Sequence, residues 1–219
     1  VAFSTLAQIR NPGFDNELGI DPANDATDTS FGTTAVRNGY LQRAFAKLWP
    51  EMGRLIREDI TTVSKQIDYS LASIVDLELV TVLDSAGLEG DRVKSWQLYV
   101  DESSATVVRR LLLPQMTGGL TVRCVGYAPY IVPASDSASC DLPPTLEYIV
   151  TAGGRVEAYR GKVNKFADFK NFQSENRSTA ISAAELLDLM HAAAREFAAY
   201  RSDNRRNLTA AHRAQRQVR

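Results

Sequence analysis

Apolar residues change their spacing twice along this chain, and that change limits the fold to a mixture of helix and sheet. From Ile74 to Leu83, Lys94 to Val100, Val107 to Leu113 and Leu120 to Tyr127, apolar side chains fall mainly on alternate positions. This is the repeat of a strand with one face buried. From Thr34 to Glu58, from Thr145 to about Arg160 and from Ala183 to about Arg201, they recur every three or four residues. That spacing lines one stripe of a helix. Helices on either side of a run of short strands predict an α+β fold, with helices packed around a small antiparallel β-sandwich.

In the first helical block the stripe is Val36, Tyr40, Leu41, Ala44, Phe45, Leu48, Trp49, Met52, Leu55 and Ile56, with Arg43, Lys47, Arg54 and Arg57 mostly off it. Thr33 or Thr34 is suited to cap it. Pro50 lacks an N–H and crowds the preceding turn, which predicts two short helices meeting at Trp49–Pro50 and ending near Asp59. Asp68 to Leu71 reads as a short strand. Ser85 to Gly87 and Glu89 to Asp91 read as turns. Met116 to Gly119 reads as a hairpin turn from which Leu120 to Tyr127 returns. Trp49 at the helix kink and Trp96 in the sheet are expected to be largely buried.

Leu142, Pro143 and Pro144 open the second helix, since proline is tolerated in a first turn. Gly153 and Gly154 lie inside it and cost ~1 kcal/mol each relative to alanine. A close approach of another helix at this notch would offset that cost. Phe166, Phe169 and Phe172 follow at intervals of three, and Ser178 or Ser182 caps the last helix.

The two ends carry opposite charge. Asp15, Glu17, Asp21, Asp25 and Asp28 come without a base between them, whereas Arg201, Arg205, Arg206, Arg213, Arg216 and Arg219 face only Asp203. Residues 1–32 contain Asn11-Pro12-Gly13, Asp21-Pro22 and a polar run, and read as an extended arm with Phe3, Leu6, Ile9, Phe14, Leu18 and Ile20 as its anchors. The expected organisation is an extended N-terminal arm (1–32), one helix/β-sandwich/helix domain (33–200) and a basic C-terminal arm (201–219). A hydrophobic content of 44 % over 219 residues suffices for a real core. No run reaches the ~18 apolar residues that span a bilayer, and no leader pattern opens the chain, so a soluble protein without its own secretion signal is expected. Cys124 and Cys140 are too few for a disulfide scaffold or a zinc site and are expected to be reduced.

Signals of catalysis are sparse. The two histidines are His191, inside the last helix, and His212, in the basic tail. Nucleophile-elbow, metalloprotease and cysteine–histidine patterns are missing. Gly154 to Gly161 followed by Lys162 has the wrong spacing for a phosphate loop, with Val163 where a hydroxyl is required. No catalytic residue, metal ligand or cofactor is assigned, and a non-enzymatic protein is expected.

The order of segments carries more information. Leu41 to Phe45 with Lys47 to Glu51 is followed by Asp68 to Leu71 and by strands around Trp96. Then come Gly118-Gly119, Val125 to Tyr127, and Asp141 to Pro144 opening a helix with Ala152 in its middle. Over roughly Ala35 to Tyr159 this resembles the head–tail adaptor proteins of tailed bacteriophages. The resemblance implies a structural virion protein that forms a ring, usually dodecameric, beneath the portal at the capsid vertex. Such a ring joins the portal to the tail, or to a tail-terminator or stopper protein, and surrounds the channel through which packaged DNA leaves. It also implies assembly in the host cytoplasm, no membrane partner and no cofactor. Ring closure needs two different faces on each copy. Gly153, Gly154, Phe166, Phe169 and Phe172 are candidates for a subunit interface, and the six arginines from Arg201 onward for contact with the portal or another partner. The alternatives are a nucleic-acid-binding module using the arginine-rich tail, or another structural component of the virion.

Overall fold

The computed structural model describes residues 3–21, 30–101, 108–166 and 182–205. Long helices and two antiparallel sheets make it an α+β protein, as the spacing of apolar residues requires. In place of one domain over 33–200, the chain forms two compact units. One is helical, combining residues up to Met52 with those from Tyr130, and the other is the β segment Gly53–Pro129 inserted between them.

Among the described residues, three long helices build the helical unit: α1 (Thr34–Ala46), α2 (Glu147–Phe166) and α3 (Ala183–Asp203). Ser182 caps α3 reciprocally. Its Oγ accepts from the Glu185 N–H at 3.2 Å, and Glu185 Oε2 accepts from the Ser182 N–H at 2.7 Å. Two otherwise orphaned donors are satisfied in this way. A short 3-10 turn, Pro144–Leu146, leads into α2. At the middle of α2 the glycine pair admits its neighbours as the sequence predicts. A Cβ on Gly153 would lie 2.8 Å from both Ala44 of α1 and Phe197 of α3. On Gly154 it would lie 2.8 Å from Phe14 and 2.9 Å from Leu41.

Phe14 belongs to the segment expected to be an extended arm, and residues 3–21 correct that expectation. Leu6–Gln8 is a helical turn capped by Thr5, Ile9–Phe14 is a helical stretch kinked at Asn11, and Asp15–Glu17 is a further turn. Asn11 takes extended angles (φ −117°, ψ 120°), as the residue before a proline prefers. Leu6, Ile9, Phe14, Leu18 and Ile20 are buried in the same core as Leu41, Phe45, Leu48, Ile149, Val150 and Phe197. These residues do anchor the segment, as expected, but they dock on their own chain. Backbone hydrogen bonds fasten the segment to the polar loop that precedes α2: Leu6 N–H to Ala138 O, Ala7 N–H to Asp136 O, and Cys140 N–H to Ser4 O, at 3.0–3.2 Å.

The first helix is also shorter than expected. It ends at Ala46, and no second helix follows Pro50; Arg54–Thr61 is instead strand β1. Trp49 precedes a proline, which disfavours helical angles there. Beyond Gly53, Ile56 and Ile60 turn towards the sheet core while Leu55, Arg57, Asp59 and Thr61 are exposed. Over so short a window an alternating pattern and a helical stripe share the same apolar residues.

Among the described residues, the β unit has six more strands: β2 (Asp68–Leu71), β3 (Asp76–Leu83), β4 (Glu89–Arg92), β5 (Gln97–Asp101), β6 (Val108–Leu112) and β7 (Thr121–Ala128). They form sheets ordered β1-β7-β3-β4 and β2-β6-β5. Tyr69, Leu71 and Leu111 from one sheet and Leu77, Val80, Val122 and Cys124 from the other share one core, the layout of a sandwich. The segment expected to turn at Glu89–Asp91 is β4, an exposed strand without apolar alternation. Met116–Gly119 is not a hairpin, because β6 and β7 lie in different sheets. It carries the chain across the sandwich. Gly119 has φ +83°, and a Cβ on Gly118 would lie 2.8 Å from the Ser64 N. Thr62 closes this end, its hydroxyl donating to Thr117 O at 2.7 Å and accepting from the Leu120 N–H at 3.0 Å. Trp49 and Trp96 are half-buried rather than largely buried, and Trp96 precedes β5 instead of lying within it.

Phe14 fills the space left by Gly154, so Phe14→Ala should destabilise the protein by ~3–5 kcal/mol through reduced burial and a cavity. Urea unfolding monitored by circular dichroism measures this directly. A chain beginning at Gly32 should lose its cooperative helical transition. Wild-type midpoints for both variants would show that the segment is dispensable for folding.

Candidate functional site

Among the described residues, those singled out from the sequence do not converge on one surface. Gly153 and Gly154 are buried within their own helical unit, so they are packing positions and not the expected subunit interface. Phe166 is the last residue of α2, and its side chain lies outside the described residues, as do Phe169 and Phe172 altogether. Arg206, Arg213, Arg216 and Arg219 lie outside them too. Arg201 is engaged within the chain. Its Nη1 donates to Lys47 O at 2.8 Å, its Nη2 pairs with Glu51 at 2.8 Å, and its guanidinium sits 5.0 Å over Phe197. It therefore fastens the end of α3 to the turn after α1 instead of projecting towards a partner. Arg205 is exposed just beyond α3.

A different cluster stands out where α1 meets α2. Arg43 of α1 and Lys47, which caps its C-terminal end, are one turn apart, and Glu157 and Arg160 are one turn apart on α2. Glu157 Oε2 accepts from Arg43 Nε at 3.1 Å. Its Oε1 accepts from Arg160 Nη1 at 2.9 Å and from Lys47 Nζ. Arg43 also lies 5.1 Å over the Tyr40 ring, a cation–π distance. Glu157 is buried while the three cations are about half-exposed. Burial alone would raise the Glu157 pKa, but the hydrogen bonds and charges of Lys47, Arg160 and Arg43 outweigh it and hold the carboxyl below its usual value.

A second network joins the N-terminal segment to α2 and α3. Arg155 pairs with Glu17 at 3.0 Å and also with Glu196, which accepts from the Tyr200 hydroxyl at 2.7 Å. Burial pushes Glu17 up, with Arg155 opposing. Glu196 is held down chiefly by the Tyr200 hydrogen bond. Tyr148 packs edge-on against Tyr200 at 4.8 Å and accepts a hydrogen bond from Asn204 at 2.9 Å. These contacts place structural pairs between elements.

Cys124 and Cys140 are unbridged and buried. Burial, with Glu58 and Asp59 nearby, pushes the Cys124 thiol up to about 12, so it stays protonated at neutral pH. His191 is exposed on α3. Among the described residues, no group of three or more His, Cys, Asp or Glu side chains is placed to hold a metal ion, and no helix is long and apolar enough to cross a membrane. Comparison with protein-family models and with curated proteins finds no match.

The Glu157 cluster was not legible from sequence as a cluster. Each pair has the helical spacing of neighbours, but the two pairs are more than a hundred residues apart. Its depressed pKa makes a pH dependence with a definite sign. Stability from this carboxylate is fully present above its unfolded value, near 4.5, and disappears as pH falls through the lower folded value. Glu157→Gln should therefore lower the melting temperature at pH 7 and flatten its acid dependence below about 4.5. Parallel melting curves for wild type and variant down to pH 3 would instead remove Glu157 from the acid response.

Proposed function

We propose that the chain is a structural, non-catalytic head–tail adaptor of a tailed bacteriophage. It would assemble as a ring, in the dodecameric form usual for such proteins, between the capsid portal and the tail or a tail-terminator or stopper protein. Packaged DNA would pass through its centre, and it would act in the virion neck after assembly in the host cytoplasm. The observation that carries this reading is the order of segments over Ala35 to Tyr159, a helix, an inserted β-sandwich and a proline-opened helix. The motifs that carry the resemblance lie in α1 (Leu41–Phe45), in β2 (Asp68–Leu71), near the end of β7 (Val125–Tyr127) and at the entrance to α2 (Pro143–Pro144).

The surfaces available for a ring differ from those expected from the sequence. Leu187 and Leu189 are exposed large apolar residues on α3, and Leu55 is one on edge strand β1. Apolar residues on separate elements suit a heterologous contact, in which one face of each copy meets a different face of the next. Residues after Asn204 are the proposed portal-directed arm, since Ser202 and Asp203 belong to α3.

Removing residues 205–219 should leave the helical signal intact and prevent capture of the subunit by portal-bearing, DNA-filled heads. Leu187→Asp combined with Leu189→Asp should leave the subunit folded and reduce ring formation on those heads, counted by negative-stain imaging. Normal docking and infectious yield with the truncated chain would overturn the arm assignment. If wild-type protein formed no ring on such heads, the adaptor reading itself would fall.

A further inference from the structure

Three cations of the helical unit converge on a single acid and outnumber it. Glu157 keeps only 6 % of its side chain exposed, while Arg43, Lys47 and Arg160, which all bond to it, keep 53 %, 42 % and 49 %. Burial opposes ionisation of Glu157, but Lys47, Arg160 and Arg43 outweigh it, so the carboxylate is charged at neutral pH. Three positive charges against one leave a surplus of two on this patch of surface. Arg201, which donates to the Lys47 carbonyl, is balanced by Glu51 and leaves that surplus unchanged. Like charges brought this close repel one another, and the buried carboxylate beneath them holds the three heads together.

We infer that Arg43, Lys47 and Arg160 form a binding site for a compact phosphate dianion, either inorganic phosphate or the terminal phosphate of a small ester. Arg43 gives Glu157 its Nε, Arg160 its Nη1 and Lys47 its Nζ, and each head keeps further N–H groups. Because Glu157 is buried and the cations are half-exposed, those donors are reached from solvent. A phosphate monoester carries a charge of about −1.5 to −2 near pH 7 on three strong acceptor oxygens. It therefore matches the surplus and offers one oxygen to each head. A carboxylate brings a single charge and leaves one cation unanswered. A phosphodiester chain spreads single charges along its length, whereas these heads converge on one point. Arg43 also rests over the Tyr40 ring at 5.1 Å, which fixes one fork before any anion arrives. The inference does not depend on the adaptor reading, since the site lies within the helical unit of a single chain.

The test titrates the full chain with inorganic phosphate and, separately, with adenosine monophosphate, following the phosphorus NMR signal of each. Both should show saturable shifts, and acetate at equal charge concentration should displace neither. Tighter binding of the ester would assign the site to a terminal phosphate, and equal or weaker binding would assign it to inorganic phosphate. Lys47→Gln and Arg160→Gln singly leave Glu157 two cations. Each should weaken phosphate binding about three- to fivefold, the scale of a solvent-screened ion pair. Lys47→Arg should retain binding. Arg205→Gln removes an exposed arginine outside the cluster and should leave the affinity unchanged. Wild-type affinity in the folded Lys47→Gln and Arg160→Gln variants would overturn the inference, as would an equal loss in Arg205→Gln. So would displacement by acetate, or no saturable shift with either phosphate. The acetate comparison uses the wild-type chain alone, so it decides the matter even where a variant does not fold.

Discussion

The helical unit depends on how closely three elements approach one turn of α2. At Gly153 the methyl of Ala44 and the ring of Phe197 occupy the space that a side chain would take, and at Gly154 Phe14 and Leu41 do the same. α1, α3 and the N-terminal segment therefore pack around the same two residues. Glycine lowers intrinsic helix stability by ~1 kcal/mol per position, yet here it allows Phe14 and Leu41 to be fully buried. Burying one such side chain contributes ~1.5–3 kcal/mol, so packing outweighs propensity. Even one added methyl would have to displace aromatic or aliphatic atoms already in place.

Electrostatics then fix the N-terminal segment in the orientation this packing needs. Asp15 is wholly buried and pairs with Arg37 of α1 at 3.3 Å and with Arg10 at 3.5 Å, and Arg10 reaches Asp136 at 3.6 Å. Buried ion pairs are weak net stabilisers because desolvation opposes their attraction. Removing one partner is another matter, commonly costing ~3–5 kcal/mol because a charge is left buried without its match. The network therefore acts on specificity. It selects a docking in which Phe14 meets Gly154, and it ties the loop containing Asp136 to the same place. Asn38 donating to Asp136 and Gln42 donating to Pro133 O hold that loop from the α1 side.

Much of the fold was legible because its elements are long or strongly periodic. β2, β3 and β7, and the helices α2 and α3, lie within a few residues of where alternation, prolines and Ser182 put them. The failures have physical causes. Arg54–Thr61 reads as helix because Leu55 and Ile56 continue the stripe of α1, and only pairing with β7 makes the segment a strand. β4 contains no apolar alternation to read. Residues 3–21 contain Asn11-Pro12-Gly13, a strong breaker, yet the chain bends there and stays helical on both sides. The glycine notch was rightly expected to admit a helix, but sequence could not tell an internal neighbour from another subunit. Of the candidate site, the basic tail was visible as composition, whereas the meeting of Arg43, Lys47 and Arg160 at Glu157 required the tertiary fold.

Two carboxylates in the helical unit are each met by more than one cation, and burial separates their roles. Asp15 and Arg37 are fully buried and Arg10 is nearly so; their charges are spent inside the core, where no partner in solution can compete. At Glu157 only the carboxylate is buried, and the three cations keep about half their surface in water. Exposed pairs contribute ~0–1 kcal/mol each, so a single one of these contacts adds little to stability once Glu157 has a partner. Positions that add little to the fold remain available to interact with another molecule. Arg201 differs from these three cations, since Lys47 O, Glu51 and Phe197 all hold it. Its contacts fasten the end of α3 to the turn after α1.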